Sequence, residues 1–172
     1  LIEEDDIVTV LLNRPEKRNA ITMGMWGAFS GIMKQLGEDP EVQAIVFRGA
    51  GDKGFSAGGD ISEFTELMKS PEHAKGEFPI IQAALESVEN CPKAVLVMIH
   101  GYAYGGAMIL ATAADIRIAA EGSTFGIPSA RVGLSVSYHD TVRTVRLIGP
   151  AKAKEILFTA GTIDAEEAYI YG

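Results

Sequence analysis

Sulfur is nearly absent as a reactive group: the sequence has one cysteine, Cys91, which cannot form an internal disulfide and suits a reducing compartment. Beside Pro92, at the edge of an apolar segment, it reads as a packed thiol and not as a nucleophile. No apolar run approaches the ~20 residues of a membrane-spanning helix, and the opening residues show no basic stretch followed by an apolar one. The expectation is a cytoplasmic protein that engages no membrane. Basic residues are the minority, 15 Lys and Arg against 23 Asp and Glu, for a net charge of −8. Spread along the chain, that charge disfavours nucleic acid and anionic membrane surfaces, and an anionic ligand would need local basic help. His73, His100 and His139 are scattered without ligand-like spacing, so no metal is expected. Nucleotide motifs are missing too: there is no G-x-x-x-x-G-K-[ST], and Gly101–Gly106 is not G-x-G-x-x-G.

What remains is the composition of one globular domain over 1–172, with 47% hydrophobic and 22% charged residues. The chain opens on Leu1 and stops at Tyr171–Gly172 directly after a helical pattern, which reads as a fragment. Ile7–Leu12 reads as a strand, broken by the turn-rich stretch Asn13–Asn19. Thr22 can cap a helix whose apolar face carries Met25, Phe29, Ile32, Met33 and Leu36. Ala44–Phe47 and Ala94–Ile99 read as buried strands, and Ile116–Ala119 as a further strand. Ile61–Met68, Ile80–Val88, Ala107–Ala114, Asp140–Ile148, Ala151–Phe158 and Ala165–Ile170 read as helices. The polar stretch with Pro71, His73 and Gly76 connects two of these helices and reads as a mobile lid or as disorder. Strands alternating with helices predict an α/β fold with mostly parallel pairing.

Two of these strands, Ala44–Phe47 and Ala94–Ile99, run into glycine-bearing turns followed by helix-competent residues. Helix starts carry unpaired N–H donors in a favourable dipole. Two such turns side by side can hold one oxygen and stabilise a thioester enolate or a tetrahedral intermediate. The competing reading is that the glycines only permit tight turns and close helix packing.

Phe55–Ser56–Ala57–Gly58–Gly59–Asp60–Ile61, then His100–Gly101–Tyr102–Ala103–Tyr104–Gly105–Gly106 and Ala114–Asp115–Ile116–Arg117–Ile118–Ala119, resemble the enoyl-CoA hydratase/isomerase (crotonase) superfamily. Asn13–Arg14–Pro15–Glu16–Lys17–Arg18–Asn19–Ala20, Phe125–Gly126–Ile127–Pro128 and Leu147–Ile148–Gly149–Pro150–Ala151–Lys152–Ala153 extend the likeness over the whole chain. The resemblance implies a spiral of ββα turns without the family's C-terminal helical region, in a homotrimer or hexamer. It implies an acyl-CoA thioester as ligand, with no cofactor beyond that coenzyme A. The implied oxyanion hole is the N–H groups of Ala57 and Gly106. Coenzyme A is expected along Lys17, Arg18 and Ala20, its adenine near Gly59, Asp60 and Ile61, with Gly105, Pro128 and Ser129 also lining the substrate. Lys17 and Arg18 suit phosphates chemically, or form a solvated pair in a turn. Asp60 reads as a helix cap or a carboxylate of the site.

The likeness has a gap. Hydratases of the family use two glutamates for proton transfer, and Ile109 and Ser129 stand at those places, so isomerase, decarboxylase or hydrolase chemistry comes into view. Substitute proton carriers are sought in the next loop: Tyr138, His139 and Asp140, although Asp140 also suits a helix cap and His139 an ordinary exposed position. Two rivals stand beside this. One is a member that binds acyl-CoA without turnover. The other is a serine hydrolase, since Gly54–Phe55–Ser56–Ala57–Gly58 matches G-x-S-x-G, with Asp115 and His139 in the order a triad requires.

Overall fold

The computed structural model describes residues 1–63 and 71–172. Alternating branched residues build its larger sheet: strands β1 (Ile2–Glu4), β2 (Ile7–Leu12), β3 (Ala44–Gly49), β4 (Ala94–Ile99) and β6 (Ile116–Ala119) lie in the order β1-β2-β3-β4-β6. Every pair is parallel except β1–β2. The register aligns Val8 with Ile45 and Ile45 with Val95, and then Val10 with Phe47 and Phe47 with Val97. Because side chains alternate across a strand, these two rows bury one face as a continuous apolar layer.

A smaller sheet holds β5 (Tyr102–Tyr104), β7 (Thr124–Gly126) and β8 (Thr162–Asp164), in the order β5-β7-β8. Two isolated parallel bridges prolong this layer, Ser56 to Ala103 and Ile21 to Gly59. Each turn of the chain thus leaves a strand in the large sheet and a strand or bridge in the second layer: β3 then Ser56, β4 then β5, β6 then β7. That repetition is the expected spiral of ββα turns. Parallel neighbours need crossovers, which here are helices. They are α1 (Met23–Glu38), α2 (Pro71–Glu89) and α3 (Gly106–Ala113), whereas α4 (Tyr138–Thr159) joins the antiparallel β7 and β8 and α5 (Ala165–Tyr171) follows β8.

Thr22 caps α1 as its sequence foretells, its Oγ1 accepting from the Met25 N–H at 3.2 Å. Trp26, missed in the sequence reading, joins Phe29 on the buried face, with Phe29 set edge-on to both Trp26 and Phe47 at 5.4 Å. The stretch with Pro71, His73 and Gly76 is helix and not a connection; Pro71 opens α2, where its missing N–H costs nothing. The helix expected from Ile61 is present through Glu63, and its remainder lies outside the described residues. The two helices expected over 140–158 form one element that breaks at Gly149 (φ 75°, ψ 161°), immediately before Pro150. Strands β1, β5, β7 and β8, three residues each, are too short for a periodic signal. Among the described residues no helix is long and apolar enough to cross a membrane.

Phe47 is fully buried where the sheet meets α1, so Phe47→Ala should destabilise the chain by about 3–5 kcal/mol. Thr22→Ala should cost about 1 kcal/mol. Urea unfolding midpoints at constant slope measure both.

Candidate active site

The turn after β2 is shaped by two side chains. Asn19, 2% exposed and left-handed at φ 53°, adopts a backbone that asparagine tolerates better than most residues. Its Nδ2 donates to the carbonyls of Ala50 (2.9 Å) and Gly54 (3.0 Å), and its Oδ1 accepts from the Arg14 N–H at 3.1 Å. Arg14 Nη1 donates to the Ala20 carbonyl and to Asp60 Oδ2, both at 2.8 Å. Asp60 Oδ1 accepts from the Ser62 N–H (3.1 Å) and Oγ (2.6 Å), so it caps the following turn as well as pairing Arg14. The Ser62 hydroxyl and then the Arg14 guanidinium hold the Asp60 carboxyl down at about 2.

These ties fix the backbone between Ser56 and Asp60. Ala57 N–H donates to the Arg18 carbonyl at 3.0 Å, Ile21 N–H to the Gly58 carbonyl at 2.8 Å and Asp60 N–H to the Ile21 carbonyl at 3.0 Å. Gly58 lies at φ 96°, and a Cβ there would meet the Tyr104 carbonyl oxygen at 2.5 Å, so only glycine fits. The N–H of Gly59 is left with no acceptor among the described residues.

A second free N–H comes from the opposite turn. Gly105, at φ 54° and ψ −122°, donates its own N–H to the Gly126 carbonyl at 2.8 Å and turns the chain into α3. Gly106 is the first residue of that helix, where the N–H has no intrahelical partner. A Cβ on Gly106 would sit 3.8 Å from the Gly59 nitrogen, so the two donors are neighbours. Both glycines line a cavity of about 120 Å³. Its walls are Trp26, Phe78, Ile81, Leu85, Ile109, Ile127, Leu134 and Val136, with Gln82, Ser129, Ser135, Ser137 and Asp140 as its polar groups. Chemically this is an apolar slot with two backbone donors at one point and one carboxylate.

The first expected donor needs correction. Ala57 is bonded to Arg18 and lies off the cavity wall; Gly59, expected beside adenine, presents the free N–H. Gly105, Gly106, Ile109, Ser129 and Asp140 do line the cavity. Tyr138, 77% exposed, and His139, also exposed, pack edge-on against each other at 5.7 Å and do not line it. Asp140 does not cap α4; Ser137 does, its Oγ accepting from the Asp140 N–H at 3.1 Å. Lys17 and Arg18 are exposed without a carboxylate partner among the described residues. Ala20, Asp60, Ile61 and Pro128 also lie off the wall, Ile61 exposed and Pro128 at the start of a short 3-10 turn. The hydrolase triad is not assembled: Ser56 is fully buried with its Oγ accepting from the Gly58 N–H, and Asp115 accepts from the Val95 N–H at 2.8 Å.

Sequence reasoning missed Arg14, Asn19, Gln82 and Arg143. Arg14 and Asn19 stood inside a quoted motif. Gln82 meets Asp140 across 58 positions of chain, a separation no local pattern reveals.

Residues 3–172 match the sequence model of the family described as Enoyl-CoA hydratase/isomerase. The chain belongs to that family. It is 33% identical over 172 residues to the crotonyl-CoA hydratase of Syntrophomonas wolfei subsp. wolfei, covering 100% of this chain and 65% of that protein. It is 35% identical to the short-chain-enoyl-CoA hydratase of Clostridium acetobutylicum, again covering 100% of this chain and 65% of the relative. Among solved structures, an enoyl-CoA hydratase/carnithine racemase from Magnetospirillum magneticum superposes with a TM-score of 0.94 at 36% identity, covering 98% of this chain and 63% of that one. An enoyl-CoA hydratase from Bacillus anthracis gives a TM-score of 0.92 at 32% identity, covering 99% and 66%. This enoyl-CoA hydratase/isomerase family chain therefore spans a little under two thirds of the curated relatives above.

The Arg14–Asp60 latch has a defined pH window. Because the Asp60 carboxyl falls from 3.8 to about 2 on folding, its stabilisation is fully present above the unfolded value and is lost as pH drops through the folded one. Unfolding of the wild type and Asp60→Asn should therefore differ at pH 5 and converge toward pH 2.

Proposed function

We propose that this chain binds an acyl-coenzyme A thioester and holds its carbonyl oxygen between the N–H groups of Gly59 and Gly106, stabilising the enolate that forms when a proton leaves C2. The observation that carries the reading is the pair of neighbouring backbone donors without acceptors, opening on one apolar slot. Preorganised donors of this kind are worth roughly 2.7–4 kcal/mol each toward developing negative charge. They need no reorganisation, because the turns that aim them are already bonded. The printed names of the relatives, crotonyl-CoA and short-chain enoyl-CoA hydratases, point to the same ligand class.

Lys17 and Arg18 lie beside the turn that carries the Gly59 backbone and supply the local basic charge that the phosphates of coenzyme A require. Adenine would rest near Ala20, Asp60 and Ile61. The acyl group would enter between Trp26, Ile109 and Ile127. With isoleucine at 109 and serine at 129, the slot has no pair of carboxylates to position water, so two-glutamate hydration is not the chemistry we assign. A chain that only binds is the competing account, and turnover separates the two.

Titration with cinnamoyl-CoA tests the reading. Polarisation of the carbonyl should move the conjugated absorbance to longer wavelength on binding; binding without a shift contradicts the oxyanion pair. Lys17→Ala and Arg18→Ala should each weaken binding about five-fold at low salt, roughly 1 kcal/mol, with the effect fading as ionic strength rises.

A further inference from the structure

Asp140 is the only acidic or basic side chain that lines the cavity among the described residues. Its environment is built. Gln82 Nε2, on α2, donates to both carboxylate oxygens at 3.2 and 3.1 Å and to Ser137 Oγ at 3.0 Å. Arg143 Nη1, one turn along α4, donates to Asp140 Oδ1 at 3.0 Å and to Gln82 Oε1 at 3.3 Å. That last contact fixes which end of the Gln82 amide faces the carboxylate. Arg143 is 5% exposed and is itself held by Glu89 Oε2 at 2.9 Å, while Arg146 stands 3.9 Å from the other Glu89 oxygen. The charged groups around Asp140 are therefore Arg143 on its own helix and, behind it on α2, Glu89. Among the described residues Asp140 Oδ2 accepts from Gln82 alone and keeps lone-pair capacity for a further proton or donor.

We propose that Asp140 is the single proton carrier of this site, poised by Gln82 and Arg143, and that the chemistry is relocation of one proton at C2 of an acyl thioester and not addition of water. This rests on the acyl-CoA reading above. In the first half-step the C2–H bond breaks, its proton goes to Asp140 Oδ2, and its electron pair enters the C1–C2 bond as the carbonyl π pair moves onto the oxygen between Gly59 and Gly106. The reverse flow returns the proton from Asp140 to carbon. Atoms and charge balance without a co-reactant. Two-glutamate hydration uses one carboxylate on water and a second on carbon; here Ile109 and Ser129 line the cavity at those places, and Asp140 is its one carboxylate among the described residues.

The test uses the whole chain and butyryl-CoA in D2O, with Kd from calorimetry and deuterium at C2 from mass spectrometry. The expected result is exchange by the wild type. Asp140→Asn should lose it by about 100-fold or more, with Kd within about two-fold; should Asp140→Asn not fold, Asp140→Ser serves the same comparison. Arg143→Gln, which removes the donor that orients Asp140 Oδ1, should lower the exchange rate at saturating butyryl-CoA by about ten-fold with Kd within about two-fold, a split that a purely structural arginine would not produce. Crotonyl-CoA should give no hydrated product. Failure of the wild type to bind butyryl-CoA overturns the acyl-CoA reading itself. Binding without exchange, undiminished exchange in Asp140→Asn, or hydration of crotonyl-CoA overturns the Asp140 proposal alone.

Discussion

The whole site depends on one close approach of two backbones. The segment after β3 meets the end of β5 at Gly58 and Tyr104, where a Cβ on Gly58 would lie 2.5 Å from the Tyr104 oxygen and 3.3 Å from the Gly106 nitrogen. That contact brings an extended loop and a helix start together with their N–H groups at one place. Parallel pairing in both layers makes it reproducible: Ser56 bridges Ala103 and Ile21 bridges Gly59, so the loop is docked as a strand is docked. Asn19 and Arg14 then hold the remaining freedom. Their hydrogen bonds reach Ala20, Ala50, Gly54 and Asp60, which span the loop on both sides of the free donor.

A site assembled from backbone tolerates change in the side chains around it. The donors at Gly59 and Gly106 are set by turn geometry, whereas the residues facing them decide what happens to a bound thioester. Here Ile109 and Ser129 line the cavity with the two glycines, and α4 adds the Asp140 carboxylate. Asp140 reaches the cavity because Ser137 takes over the capping of that helix, which frees the aspartate side chain for Gln82 and Arg143.

Much of the architecture was legible in the sequence, for physical reasons that differ by element. Ile7–Leu12, Ala94–Ile99 and Ile116–Ala119 are strands with the bounds their aliphatic runs suggested. Thr22 marks the start of α1 because its hydroxyl is the cap. Strands β5 and β7 carry no such signal: they exist through pairing with neighbours distant in the chain. The pair of unbonded N–H donors was half legible. Gly106 follows from its place at a helix start, but choosing between Ala57 and Gly59 requires knowing that the Arg18 carbonyl takes the Ala57 N–H. The Gln82–Asp140–Arg143 group was hidden for the same reason, since it joins helices far apart in the chain.

The central claim is that a thioester carbonyl is held by Gly59 and Gly106. A crystal structure of the chain with butyryl-CoA bound tests it most directly. The account predicts the thioester oxygen at about 2.7–3.1 Å from both nitrogens, with the Ala57 N–H still bonded to Arg18. A carbonyl oxygen bound at Ala57, or turned away from the two glycines, would contradict it.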